Sequence, residues 1–251
     1  MTYINQSSYK GLLGPRSKNI FENGWMASWD GKYRNVVILA YEKIDYDYLA
    51  GLIPYNFLYF DMRIFDKLPG RVNKSKEFSV ITDISKWDNF DGKNWRGIRY
   101  CLNKMKNYDV KVSEIYNEAD FVELIKKWRN NLANKYYQDH SGKNLYFFKM
   151  GFHNNCLNRF YYINDKMVGF ACLSKPDENG NAAYIAGKSL CDEYYGLSEY
   201  VDCDILMHGR ENGIKIINWG QGAKGVLKYK MKFPYSEILI HYNGKVENNG
   251  I

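Results

Sequence analysis

The chain has 251 residues, enough for one large domain or two small ones with a substantial core. Its 45% hydrophobic and 25% charged content is ordinary for a soluble globular chain, and its net charge of +7 favours anionic partners such as nucleic acid, acidic lipid or a phosphorylated cofactor. Five cysteines, at 101, 156, 172, 191 and 203, are odd in number and show no CxxC spacing, which excludes a disulfide framework and predicts free thiols in a reducing compartment. The four histidines form no HxxxH pattern and no Cys/His cluster, so no metal site is expected. The first residues lack the apolar stretch of a leader, and no apolar run approaches the roughly 18 residues of a membrane span, so a cytoplasmic location is expected.

Strand-like runs come first: Asn35–Tyr41, Phe57–Ile64 and Phe78–Ile84. They are bounded by turn formers, Trp29-Asp30-Gly31-Lys32 and Pro69-Gly70. Helical patterning begins at Trp95, which with Ile98, Leu102 and Met105 marks one helix face. A second helix carries Phe121, Leu124, Ile125, Trp128 and Leu132 on one side, with Asn117 or Asp120 as N-cap. A third helix is expected over Leu145–Asn154. Three strands follow: Phe160–Ile163, Met167–Leu173 and Ala182–Lys188, with Asn164-Asp165-Lys166 turning the first into the second. Leu197, Tyr200, Val201, Ile205 and His208 mark a helix closed by Gly213. Ile214–Asn218 reads as a buried strand and Val226–Lys232 as a short helix stopped by Pro234. A hairpin is expected at the end, Glu237–Tyr242 and Lys245-Val246 turning at Asn243-Gly244.

Helix, helix, three antiparallel strands, helix, strand, helix is an order that resembles the GNAT acyltransferase superfamily over residues 115–246. Two segments resemble a narrower group. Gly92–Val110, GKNWRGIRYCLNKMKNYDV, is similar to a pattern in the catalytic domain of phosphatidylglycerol lysyltransferases. Leu197–Phe233, with a strand ending Asn218-Trp219-Gly220 and then Tyr229-Lys230-x-Lys232-Phe233, is similar to that group and to Fem-type peptidyltransferases. The resemblance implies an α/β fold, a mixed and mostly antiparallel sheet with flanking helices. It implies two tandem lobes, a degenerate one over 1–110 and a catalytic one over 111–251. Both families use aminoacyl-tRNA as donor, and that donor is the favoured one here, with acyl-CoA as the other possibility and no tightly bound cofactor.

In this fold the donor lies where two parallel strands splay apart, so Tyr184, Ile185 and Ala186 on one strand and Asn218 on the other are expected to bind it. The next helix offers its N-terminus to donor phosphates. Acetyl-CoA enzymes of the superfamily carry [QR]-x-x-G-x-[GA] at that turn, whereas this chain reads Glu193-Tyr194-Tyr195-Gly196-Leu197-Ser198. Glu193 in place of an amide or guanidinium repels a pyrophosphate. Gly196 and Ser198 remain donor-binding candidates, Ser198 as an N-cap. Gly220-Gln221-Gly222-Ala223-Lys224-Gly225 matches GxGxxG, but only 26 residues follow it. That is too few for a dinucleotide site, so Gly220 and Gly222 are expected to line the acyl-donor cleft.

The resemblance places a lysine near the donor carbonyl. Lys230 is the best match, its charge aimed at the oxyanion of a tetrahedral intermediate. Lys228 and Lys232 share the other face of the same helix. Acid–base candidates are Asp192, Glu193, Tyr194, Tyr195 and Tyr229, and no nucleophile with triad spacing emerges. Asp139-His140-Ser141-Gly142 reads as a loop. Arg96, Arg99, Asn103 and Lys106 form a second stripe on the first helix, with Lys93 and Lys104 adjoining. This is a candidate track for tRNA or DNA phosphates. The resulting expectation is an N-acyltransferase with direct attack by an amine acceptor. Two other readings stand beside it: a GNAT-like enzyme that modifies a base in phage DNA, and a non-catalytic nucleic-acid-binding scaffold.

Overall fold

A computed structural model describes residues 17–22, 25–30, 35–40, 56–59, 71–87, 90–131, 144–145, 148–149, 151–222 and 224–247. Eleven strands are found among them: β1 (Ser17–Glu22), β2 (Trp25–Asp30), β3 (Asn35–Ala40), β4 (Asn56–Tyr59), β5 (Arg71–Asp83), β6 (Lys111–Ser113), β7 (Cys156–Ile163), β8 (Lys166–Ser174), β9 (Asn181–Ser189), β10 (Ile216–Gly222) and β11 (Glu237–Glu247). They form one sheet in the order β1-β2-β3-β4-β11-β5-β10-β9-β8-β7-β6. Neighbours are antiparallel except β3/β4 and β9/β10. Three antiparallel strands followed by a parallel one therefore occur twice, as β1-β2-β3-β4 and as β7-β8-β9-β10. The sheet runs without a break across residue 110, because β11 lies between β4 and β5, and β5 lies beside β10.

Helices α1 (Arg96–Met105), α2 (Glu118–Asn130), α3 (Leu197–Glu211) and α4 (Lys224–Lys230) pack on the half of the sheet that ends in β6. The continuous apolar run of β8 predicts a strand covered on both faces, and all of it beyond Lys166 is buried. Alternation along the strand sends Phe170 to Phe121 of α2, ring centroids 4.8 Å apart. It leaves Gly169 under Val201 of α3, where a Cβ would sit 3.2 Å from Cγ2. The core continues through Ile98 and Met105 of α1 and through Trp87, Trp219 and Phe233.

Local signals act as their chemistry dictates. Asn117, not Asp120, caps α2, its side chain accepting from Asp120 N at 3.1 Å. Asn164 and Asp165 have φ of 51° and 57°, the paired left-handed residues of a tight β7–β8 hairpin turn. Gly213, φ 86°, follows the C-cap of α3.

Four expectations need correction. The terminal hairpin does not form. β11 runs straight through Asn243 and Gly244, which pair with Ser75 and Lys74 of the 13-residue β5 on one side and with Leu58 and Phe57 of β4 on the other. Two ladders outweigh a local turn preference. The helix expected over 145–154 is interrupted: 144–145 and 148–149 are helical, Gly151 has φ 73°, and Phe152–Asn155 forms a 3-10 turn. The strand expected over 214–218 starts at Ile216 and continues to Gly222, and α4 starts two residues earlier than its apolar pattern suggests. The 139–142 loop lies outside the described residues, as do parts of the first strand-like runs and their turns.

Candidate active site

β9 and β10 pair through three positions only, Asn181↔Ile216, Ala182↔Ile217 and Ala183↔Asn218. Beyond them both strands depart from regular register. On β9 the ladder to β8 skips Ile185, a bulge. On β10 the ladder to β5 skips Trp219 and Gly220. Gly220 takes φ 69°, and its N–H donates to Asn218 Oδ1 at 2.8 Å, which fixes the kink. The two strands thus splay, and between them opens a cleft of about 570 Å³.

Aromatic stacking holds the kink in place. The Trp219 ring lies on Tyr184, centroids 5.2 Å apart and nearly parallel, and its indole N–H donates to Thr82 Oγ1 at 2.8 Å. Phe233 packs against Trp219 from the far side. Lys230, only 7% exposed, donates from Nζ to the carbonyls of Trp219 and Gly220 at 2.7 and 2.8 Å. Lys230, the last residue of α4, thus sets a buried ammonium on the carbonyls that the bulge takes out of the β10 ladder.

At the back of the cleft stands Asp202 of α3, 6% exposed. One carboxylate oxygen accepts from Tyr184 Oη at 2.5 Å and the other from Tyr229 Oη at 2.7 Å. Burial pushes the Asp202 carboxyl up to about 6, against the two tyrosine hydrogen bonds that favour its charged form. Burial and the neighbouring carboxylate raise both tyrosines well above their ordinary range. The arrangement depends on Gly187, because a Cβ there would lie 1.9 Å from Tyr184 Oη.

Lys188 is the other cation of the cleft. Its Nζ donates to Gly187 O at 3.0 Å and lies 4.7 Å from the Trp128 ring centroid. Burial lowers its ammonium to about 8, opposed by the Asp202 charge.

The turn that closes the cleft is built differently. Glu193 N and Tyr194 N both donate to Leu190 O, and Leu197 N donates to Tyr194 O. Gly196, φ 92°, precedes α3 and presses on α1, where a Cβ would lie 2.6 Å from Cys101 O. Glu193 points away to Lys127 of α2, 3.5 Å off. Glu199, in the first turn of α3, is buried and paired with Lys232 at 2.8 Å.

Of the residues singled out by sequence, Tyr184, Ile185, Ala186, Ser198, Gly220, Tyr229 and Lys230 line one cleft. Asn218 is buried beneath it, and Ser198 Oγ lies 2.7 Å from Ser189 Oγ. Gly222 pairs with Phe78 beyond the bulge. Asp192 is exposed on the turn, and Tyr195, 62% exposed, packs edge-on against Tyr100. Lys93, Arg96 and Lys106 are exposed on and beside α1, while Arg99 donates from NH1 to the carbonyls of Phe90 and Gly92, at 2.6 and 2.9 Å, and anchors that loop. Sequence reading missed Asp202, Lys188 and Trp128. The signal for Asp202 is a carboxylate between Val201 and Cys203 and one turn before Ile205 and Leu206, all buried. Among the described residues no group of three or more His, Cys, Asp and Glu is placed to hold a metal ion. Nor is any helix among them long and apolar enough to cross a membrane.

No family model matches the sequence, and no curated protein matches it. Solved structures do. A conserved protein of unknown function from Bacteroides thetaiotaomicron superposes with a TM-score of 0.67 at 16% identity, over 92% of this chain and 86% of that one. The C-terminal domain assigned to a lysylphosphatidylglycerol synthetase from Agrobacterium fabrum gives 0.61 at 12% identity, over 96% and 88%. A GCN5-related N-acetyltransferase from Kribbella flavida gives 0.53 at 8% identity, over 95% and 93%. The splayed strands, the bulge and these superpositions agree on one architecture: the chain has a GNAT-like α/β fold.

Proposed function

We propose that this chain is an acyltransferase whose donor carbonyl lies in the cleft between β9 and β10, where an acceptor amine attacks it directly. The observation that carries this reading is the parallel ladder that stops at Ala183 and Asn218 and leaves Tyr184–Ser189 facing a cleft with buried polar groups at its back. Backbone groups on that edge of β9 are suited to bonding an acyl chain. Lys230 supplies a buried positive charge behind the cleft, and a charge in a dry site favours a developing oxyanion. Asp202 fixes Tyr184 and Tyr229 in one orientation each.

Aminoacyl-tRNA is the favoured donor. Two motifs of the sequence resemble aminoacyl-tRNA-dependent enzymes, and the Agrobacterium domain shares the fold. The turn before α3 supports the same choice. Three of its amides bond within the turn and two carboxylates stand at or beside it, a poor reception for a pyrophosphate. Exposed Lys93, Arg96 and Lys106 are the candidates for tRNA contact.

The test is transfer of label from a pool of charged tRNAs to added amines, with labelled acetyl-CoA in parallel. Transfer from tRNA is expected. Lys230→Met should lower its rate roughly 100-fold or more, about 3 kcal/mol, with the far-ultraviolet spectrum retained. Turnover of acetyl-CoA alone overturns the donor assignment, and a Lys230→Met enzyme within a few-fold of the parent overturns the role of that charge.

A further inference from the structure

We propose that Lys188 is the general base of the transfer, taking the proton of the attacking group and returning it to the leaving oxygen; this rests on the acyltransferase reading above. The argument is one of proton positions in the cleft. Tyr184 and Tyr229 each spend their only hydroxyl proton on Asp202, and each Asp202 oxygen is engaged by one of them. Lys230 is buried beneath the kink with its ammonium on two backbone carbonyls. Lys188 differs. Among the described residues its one polar contact is the carbonyl of the preceding residue, and it also lies against the Trp128 ring.

The surroundings of Lys188 set its basicity. Trp128 of α2 offers a π face but no formal charge. The cleft it shares is lined by Asp202 and Ser198 from α3, Tyr229 and Lys230 from α4, Tyr184 from its own strand and Cys191 from the turn that follows. Asp202 is the one carboxylate in that set, and its charge acts on Lys188 from beyond ion-pair distance. Desolvation by the aromatic walls therefore outweighs it, and the amine is held down to about 8, where a substantial neutral fraction exists near neutral pH. An ordinary surface lysine has almost none.

The step balances without a further reactant. The lone pair of the acceptor attacks the acyl carbon, a bond forms from acceptor to carbon, and the carbonyl π pair moves to oxygen. The acceptor proton passes to neutral Lys188 Nζ. Collapse restores the carbonyl and breaks the ester bond to the donor. The departing oxygen takes the proton from Lys188, which ends neutral as it began.

Two measurements test this. In the wild-type protein, trace acetic anhydride followed by peptide mass spectrometry across pH 6–11 should show Lys188 labelling with a midpoint near pH 8, ahead of the bulk of the lysines. In kinetics, Lys188→Arg and Lys188→Gln should each lower kcat by roughly 100-fold or more at pH 7.5, with KM for the donor nearly unchanged. Added small primary amines should restore part of the Lys188→Gln rate. Labelling of Lys188 together with the bulk lysines, or an unaltered pH profile in Lys188→Arg, overturns the base role while leaving the acyltransferase reading intact. A wild-type protein that transfers from no donor removes that reading and the base role together.

Discussion

The cleft between β9 and β10 and the turn Leu190–Gly196 are consecutive in sequence, yet they differ in where their polar groups point. In the cleft the ladder stops, and the exposed strand edge faces a space bordered by Asp202, Lys188 and Lys230. In the turn the amides of Glu193, Tyr194 and Leu197 are consumed locally, and acidic side chains replace anion-binding ones. On the proposed acyltransferase reading, the cleft is open where an acyl group would lie and the turn is closed where a donor phosphate would lie. Under that reading the two ends are separable: the sheet geometry sets the first, and a seven-residue loop sets the second.

Three glycines sharpen the comparison. In the turn, Gly196 combines φ 92° with a neighbouring backbone atom, Cys101 O, at 2.6 Å from any added Cβ. Backbone cannot retreat as a side chain does, so Gly196→Ala should cost about 4 kcal/mol, strain and overpacking together. Gly213→Ala shares the left-handed conformation, φ 86°, but meets open space, and should cost only about 1 kcal/mol. Gly187→Ala in the cleft lies between them, about 2–3 kcal/mol. The atom it displaces is the tip of Tyr184, but that tip is buried and bonded to Asp202. Denaturant midpoints of the three variants decide the order. A Gly196→Ala protein as stable as Gly213→Ala would mean that the turn is not pressed onto α1.

The next largest effect is on pH. Asp202 is held at about 6 in the folded protein against 3.8 for the free side chain, so the folded state binds its proton more tightly than the unfolded state. Its contribution is therefore most favourable at low pH, is lost as pH rises from about 4 to about 6, and is constant above, a penalty of up to about 3 kcal/mol. Asp202→Asn removes this slope. Stability curves from urea titrations at pH 4 to 7 should diverge between wild type and Asp202→Asn by that amount, and parallel curves would mean that the carboxyl titrates as in water.

Much of this was legible in the sequence. The strand over Met167–Leu173, the Asn164-Asp165 turn and the stop at Gly213 each have a local cause and act as read, and of the two cap candidates Asn117 and Asp120 it is Asn117 that caps. The splay was expected from the resemblance that the order of elements carries, not from the residues themselves. What could not be read is set by long-range pairing or by direction in space. Asn243-Gly244 is a strong local turn signal, overridden because β5 and β4 both pair through it. Lys230 was singled out as a cation near the donor carbonyl, but its bonds to Trp219 and Gly220 depend on the bulge in the preceding strand. Arg99 matches a phosphate-binding stripe by spacing, and only the structure reveals its guanidinium on the carbonyls of Phe90 and Gly92. Asp202 sits in a helix pattern that reads as core, and its role follows from two tyrosines far from it in sequence.

The smallest predicted effect separates two reasons for the closed turn. If the carboxylates repel a pyrophosphate, Glu193→Gln should strengthen coenzyme A binding by about 2- to 5-fold, the 0.3–1 kcal/mol typical of one exposed charge near a helix N-terminus. Glu199→Gln should add a similar gain, because it releases the Lys232 ammonium now paired at 2.8 Å and leaves a net positive charge beside the first turn of α3. If instead the consumed amides close the turn, neither change helps, since Glu193 N, Tyr194 N and Leu197 N stay bonded to Leu190 O and Tyr194 O whatever the side chains carry. Calorimetric titration of both single variants and the double variant with coenzyme A distinguishes the two. A gain that doubles in the double variant assigns the closure to charge, and no gain assigns it to backbone geometry. Low-micromolar binding by the wild type breaks the comparison itself, because a turn that accepts coenzyme A with both carboxylates in place is not closed.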